Sequence, residues 1–223
     1  MINDKSRENR TEERTRIKIC GLRREEDIAC VNRFLPEYIG FVFAPKSRRY
    51  VDPVQAAKLR QGLADGITPV GVFVNEDPRL VAQLLEAGTI EIAQLHGQED
   101  ESYLSFLRML TDKPLIKAFR IDTKEDVQAA QSSSAWQVLV DHGAGGTGHS
   151  FEWSLLSGLG RPYFLAGGLS PENVGDAVHL LHPFAVDVSS GVEGADGKTP
   201  QELTAERTVW FADALIAELK KED

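Results

Sequence analysis

From Thr15 onward the chain alternates between short, continuous apolar runs and longer stretches of helical periodicity. The apolar runs are RIKIC at 16–20, YIGFVF at 38–43, VGVFV at 70–74, IEIAQLH at 90–96, PLIKAF at 114–119, WQVLVD at 136–141, PYFLAG at 162–167 and FAVDVS at 184–189. Each predicts a strand. The intervening pattern predicts helices over about 24–35, 53–63, 77–87, 99–110, 123–132 and 171–181, a short one over 151–157 and a long final one over 200–220. Runs that stay apolar instead of alternating belong to parallel strands covered by helices. An open doubly wound sheet usually has fewer strands and a nucleotide fingerprint at its first turn. Here that turn is Cys20-Gly21-Leu22, with no G-x-G-x-x-G. Eight β-then-α units therefore predict a single-domain α/β fold, the closed (β/α)8 TIM barrel, over 16–223. Its units are lean, at roughly 25 residues each, against a typical barrel of about 250 residues. Residues 1–15 are charged, lack the apolar segment of a signal peptide and are expected to form a disordered tail.

In such a barrel chemistry sits at the C-terminal ends of the strands, and a phosphate commonly sits after strands seven and eight. Here strand seven runs into Gly167-Gly168 and strand eight into Ser189-Ser190-Gly191. Two neighbouring loops rich in backbone N–H groups, with a helix expected to start at Ser170-Pro171 between them, can hold one phosphate. The other strand ends carry Cys20, Ser47 with Arg49, Asn75, Gln94 with His96, Arg120, and Asp141 with His142, and strand eight itself carries Asp187.

These positions differ in how strongly they point to chemistry. A cysteine is often plain core, but Cys20 closes strand one with Lys18 two residues earlier on the same face. If that face is the lumen, the ammonium favours a thiolate, and the thiol is expected to ionise below a free thiol's value of about 8.5. Cys30, within the first helix, reads as structural. Asp141 ends an apolar run, where an unpaired carboxyl is unfavourable unless solvated or functional; desolvated, it could stay protonated and act as a general acid. Arg49 is either part of a solvated basic loop with Lys46 and Arg48 or a fork for a carboxylate. His96 is either a loop histidine or a pocket residue. The glycine-rich loop at 143–150 is either a lid or an anion nest.

Composition narrows the partners. The 223 residues are 42% hydrophobic and 26% charged, as in an ordinary water-soluble domain. A formal net charge of −9 argues against nucleic acid. It also requires that an anionic substrate meet locally placed donors, because the global field repels it. No apolar run approaches a membrane span. The two cysteines have no metal-type spacing, so no metal is expected, and reduced thiols in the cytoplasm are the default.

Taken together, these segments resemble the phosphoribosylanthranilate isomerase family of tryptophan biosynthesis. The resemblance is carried by KICGL at Lys18 to Leu22, S-x-R-x-V at Ser47 to Val51, VGVFVN at Val70 to Asn75, QLHG at Gln94 to Gly97, GGTG-x-x-F-x-W at Gly145 to Trp153, LAGGL-x-P-x-NV at Leu165 to Val174 and VDVSSGVE at Val186 to Glu193. It implies an Amadori rearrangement of a small phosphoribosyl substrate by general acid and base, with no metal or organic cofactor. By the same resemblance Cys20 matches the base, Asp141 the acid and Arg49 the residue that holds the anthranilate carboxylate. Gly167, Gly168, Ser189, Ser190 and Gly191 match the phosphate cradle. Gln94 belongs to the QLHG motif and is expected, with His96 and Asp187, to line the substrate pocket. Monomer and homodimer are equally compatible with the pattern.

The chain departs from the family pattern at His142, at Arg23 and at Gly197-Lys198-Thr199. Three other readings compete. The sister isomerase of histidine biosynthesis normally places aspartates on strands one and six, against which Cys20 speaks. A broad-specificity enzyme would serve both substrates. A non-catalytic phosphosugar-binding barrel would need the anion loops without the Cys20/Asp141 pair.

Overall fold

The computed structural model describes residues 14–141 and 153–193. The expected loop at 143–150, His142, residues 197–199, the final helix over 200–220 and the tail up to residue 13 lie outside the described residues. Eight strands form one closed parallel barrel in sequence order, with β8 pairing back onto β1. They are β1 Arg16–Cys20, β2 Tyr38–Val42, β3 Thr68–Phe73, β4 Ile92–Leu95, β5 Leu115–Arg120, β6 Gln137–Asp141, β7 Tyr163–Ala166 and β8 Ala185–Val188. The expected barrel is therefore the observed one, with half of the strands a residue or two shorter than their apolar runs.

Period two divides the strand residues into two compartments. Tyr38, Val70, Ile92, Ile116, Ala118, Leu139, Phe164, Ala166 and Ala185 form one buried cluster, which fills the lumen. The residues between them, such as Ile19, Ile39, Phe73, Ala93, Val138, Leu165 and Val186, join a larger cluster with the helices. The lumen is closed below by Tyr38 and Phe164, whose rings meet edge to face at 5.3 Å. Moving up the same inward faces, the side chains turn polar: Lys18 and Cys20, Gln94 and His96, Asp141, Asp187. Parity alone thus sets the candidate site on an apolar plug.

The helices are α1 Glu25–Phe34, α2 Pro53–Gln61, α3 Pro78–Glu86, α4 Glu101–Arg108, α5 Lys124–Ser132 and α6 Val174–Leu181. Their starts have local causes. Asp52 and Asp77 accept from backbone N–H groups of the first turn ahead of Pro53 and Pro78. Thr123 and Asp126 close a reciprocal capping box.

Two elements differ from the sequence pattern. The short helix expected over 151–157 is a 3-10 helix at Trp153–Gly158. The helix expected from Ser170-Pro171 starts only at Val174. The Asn173 side chain accepts from Ser170 N–H at 2.9 Å and donates to the Gly168 carbonyl at 3.0 Å. Such local side-chain bonds compete with helical ones and leave 170–173 as a turn.

A buried polar clamp lies outside the lumen. Lys117 Nζ donates to the carbonyl of Gly97 at 2.8 Å and to Glu99 Oε2 at 3.1 Å. Glu99 accepts from the N–H groups of Asn75 at 2.6 Å and Gly97 at 2.7 Å. The clamp ties down the segment that follows β4 and carries His96.

Thr123→Ala is expected to destabilise the protein by about 1 kcal/mol, read as a lower urea midpoint with an unchanged slope. An unchanged midpoint would remove the capping box from the determinants of α5.

Candidate active site

At the C-terminal ends of the strands lies a cavity of about 390 Å³. Cys20, Arg49, Gln94, His96, Asp141, Gly167, Gly168, Asp187, Ser189 and Ser190 all line it. Ten of the eleven sequence-predicted site residues thus meet around one opening. Gly191 does not line it. It packs instead against the β7 loop, where an added Cβ would lie 2.0 Å from the Leu169 carbonyl oxygen. Its lack of a side chain lets the two anion loops touch. Gly167 and Gly168 adopt φ of +91° and +67°, a turn that L side chains rarely enter. The predicted helix N-terminus between the loops is displaced by the 170–173 turn, so loop N–H groups are the nearer anion donors. Two other strand-end residues lie elsewhere. Arg120 is exposed and pairs with Asp122, and Asn75 belongs to the clamp below His96.

Around the barrel, β1 and β6 flank the β7–β8 pair. Cys20 and Asp141 therefore stand on either side of the two anion loops. Gly40, on the neighbouring strand, makes room for the thiol: an added Cβ would meet Cys20 Sγ at 2.5 Å. Ser189 Oγ donates to the Cys20 carbonyl at 3.0 Å, which ties the β8 loop to the end of β1. His96 joins the two halves of the polar rim. Its Nδ1 lies 3.0 Å from Gln94 Nε2 and its Nε2 lies 3.5 Å from Asp141 Oδ2.

Beneath the thiol lies a feature that the sequence reading underused. Lys18 has no exposed surface, and its Nζ sits 2.6 Å from Asp187 Oδ2. Burial works against the ammonium, but Asp187 and Cys20 outweigh it and hold Lys18 above its ordinary value. For Cys20 the expected direction is reversed. Burial pushes the thiol up and outweighs the pull of Lys18, while the Asp187 charge pushes the same way as burial. The reason is that the thiol is desolvated, and the carboxylate paired with Lys18 offsets part of the ammonium's pull. The signal for this pair was available as a lysine within an apolar strand and an aspartate within another. What the sequence lacked was the register that sets Lys18 opposite Asp187.

Among the described residues, two acceptors in the cavity wall have no hydrogen-bond partner: Gln94 Oε1 and Asp187 Oδ1. Buried acceptors are usually satisfied, so these two mark where donors of a bound molecule would be welcome. The opposite wall, from β2 and β3, is apolar, with Val42, Ala44, Val72 and Val74 beside Arg49. The cavity thus has an end lined by the Gly167-Gly168 and Ser189-Ser190 loops, a polar middle with Cys20 and Asp141, and an apolar end beside an arginine. Among the described residues, no group of three or more His, Cys, Asp or Glu side chains is arranged to hold a metal ion.

A family model described as N-(5'-phosphoribosyl)anthranilate isomerase matches residues 17–206. A protein of Endomicrobium trichonymphae named N-(5'-phosphoribosyl)anthranilate isomerase is 44% identical over 181 residues, 80% of this chain and 89% of the relative. Two crystal structures superpose with TM-scores of 0.78 at 32% identity, each over 91% of this chain and 99% of its own. One is of monomers made from the dimeric phosphoribosylanthranilate isomerase of Thermotoga maritima. The other is a phosphoribosyl anthranilate isomerase in complex with reduced 1-(o-carboxyphenylamino)-1-deoxyribulose 5-phosphate.

Because the Cys20 thiol is pushed up, it is expected to be protonated at neutral pH and to become reactive only as pH rises. Iodoacetamide labelling of Cys20, followed by peptide mass analysis, should show a midpoint above the free-thiol value of about 8.5. A midpoint below it would restore the sequence-based expectation.

Proposed function

The chain belongs to the N-(5'-phosphoribosyl)anthranilate isomerase family, and from that premise we propose how its cavity divides the work of the reaction. The enzyme converts N-(5-phosphoribosyl)anthranilate, an aminoaldose, to 1-(2-carboxyphenylamino)-1-deoxyribulose 5-phosphate, an aminoketose, in tryptophan biosynthesis. This Amadori rearrangement needs a proton on the ribose ring oxygen to open the ring to a Schiff base. It then needs removal of the proton at C2′, after which the enolamine ketonises.

In the proposed arrangement the loops at Gly167-Gly168 and Ser189-Ser190 hold the phosphate through backbone N–H groups, with Gly191 bracing them. Asp141 is the general acid at the ring oxygen, and Cys20, as thiolate, is the general base at C2′. The observation that carries this reading is topological: the two groups flank the anion loops, so a sugar anchored there lies between them. Lys18 keeps a positive charge under the thiol and stabilises the thiolate once it forms. Gln94 Oε1 and Asp187 Oδ1 accept from hydroxyl or amine donors of the substrate, which satisfies two buried acceptors. His96 holds Asp141 in place. Arg49 binds the anthranilate carboxylate, and its aromatic ring rests on Val42, Ala44, Val72 and Val74.

The chemistry is proton transfer within one substrate, so the scheme uses no metal or organic cofactor. We place the enzyme in the cytoplasm, as monomer or homodimer. No helix of the described residues is long and apolar enough to cross a membrane, and a related isomerase is dimeric.

The test is a fluorescence assay on freshly made phosphoribosylanthranilate, with the histidine-pathway phosphoribosyl-formimino ribonucleotide as comparator. Cys20→Ser and Asp141→Asn are each expected to lower kcat by about 10²-fold or more with unchanged circular dichroism. Near-wild-type turnover of either variant would remove that residue from the acid/base pair. Arg49→Ala should raise KM by roughly tenfold or more, and unchanged kinetics would remove it from the carboxylate site.

A further inference from the structure

Arg49 is not a free cation. Its Nε and Nη2 donate to the two carboxylate oxygens of Glu193 at 2.6 and 2.8 Å. This is a side-on, bidentate pair, the geometry in which guanidinium and carboxylate match best. The Glu193 side chain is nearly buried and does not line the cavity, whereas Arg49 does. The arginine is held from further directions as well. Its backbone N–H donates to Ser47 Oγ at 3.1 Å. Its stem crosses Gly21, where an added Cβ would lie 2.3 Å from Arg49 Cδ. The guanidinium is thus gripped along one edge from outside the cavity. The other edge, made by Nη1 and the second N–H of Nη2, remains for a second planar acceptor.

We infer that Glu193 is a positioning residue for substrate selection, holding Arg49 side-on so that its end-on edge faces the carboxylate of an aromatic ring seated on the apolar wall. This rests on the proposal that Arg49 binds the anthranilate carboxylate. Two effects of Glu193 oppose each other. Its charge offsets part of the arginine's attraction for a second carboxylate. Its grip removes the rotamer freedom of a long side chain before the substrate arrives, and pre-ordering of this kind strengthens binding. Arg49 borders the open cavity, where water and salt weaken repulsion between two carboxylates on opposite edges. The positioning effect therefore dominates. The arrangement makes recognition depend on the shape of the acceptor more than on its charge, which suits a chain whose net charge of −9 repels anions.

The experiment measures dissociation constants of two ligands on the full chain by titration calorimetry. One is reduced 1-(o-carboxyphenylamino)-1-deoxyribulose 5-phosphate, and the other is the same compound without the ring carboxyl group. Glu193→Ala should weaken the carboxylated ligand by roughly three- to tenfold and leave the carboxyl-free ligand unchanged. Glu193→Gln, which keeps one acceptor for the fork, should recover part of the loss. Equal weakening of both ligands would mean general damage to the site and overturn the inference. Tighter or unchanged binding of the carboxylated ligand would overturn it too. If Glu193→Ala does not fold, Glu193→Gln carries the comparison with the same criteria at a smaller fold-change. Arg49→Ala separates the two levels. If it weakens both ligands alike or neither, the Arg49 assignment falls; if it weakens only the carboxylated ligand and the Glu193 variants do not, only the role of Glu193 falls.

Discussion

The barrel closes where β8 meets β1, and the register at that seam sets Lys18 directly against Asp187. Much else follows from this buried ion pair. A lysine with no exposed surface is unfavourable inside a protein unless its charge is matched, and here the match is made by the eighth strand of the barrel. The seam therefore has one correct register: a slip of β8 by one residue would turn Asp187 into the apolar layer beneath the helices and leave Lys18 unmatched in the lumen. The same pair sits directly under Cys20, so closure of the barrel and the electrostatics of the thiol are one arrangement. Removing either partner would leave a charge buried without compensation, at a cost of about 3–5 kcal/mol.

The rim of the cavity handles its cations sparingly. Lys18, beneath the cavity, is committed to Asp187 and Arg49, in its wall, to Glu193, while Lys117 outside the lumen is paired with Glu99. Each is positioned by a carboxylate before any substrate arrives, and in the proposed scheme this leaves backbone N–H groups as the donors for the phosphate. The division is physically sensible. Backbone donors of a tight turn are fixed in place, need no counter-ion and are insensitive to pH. In the proposed scheme side-chain charges then remain for steps in which the charge itself matters: ionising a thiol and orienting a carboxylate.

Much of this was legible in the sequence because the relevant signals are local. The eight apolar runs, the helix caps and the glycine-rich turns depend on neighbours within a few residues. Cys20, Asp141, Gln94, His96, Asp187 and the loops after strands seven and eight were legible as strand ends, and strand ends converge in a barrel whatever the rest of the chain does. What could not be read were relations between distant segments. The Cys20 ionisation went the other way because burial of the thiol, joined by the charge of the distant Asp187, outweighs Lys18. The start of α6 moved because Asn173 found Gly168 and Ser170. Gly191 turned out to serve loop packing because its neighbour is Leu169 across the β7–β8 gap.

The sequence by itself determined the alternation of strand and helix, the parity that separates lumen from outer layer, and the set of residues at the mouth. These follow from backbone geometry with periods of two and 3.6, which each short segment carries independently. The tertiary structure decided which charges neutralise which, Lys18 with Asp187 and Arg49 with Glu193, and which polar groups meet, His96 beside Asp141. The reason is that Coulomb interactions depend on distance and burial, and both are set by register and closure. The parts of the site were therefore readable from the chain, while their electrostatic pairing existed only once the barrel had closed.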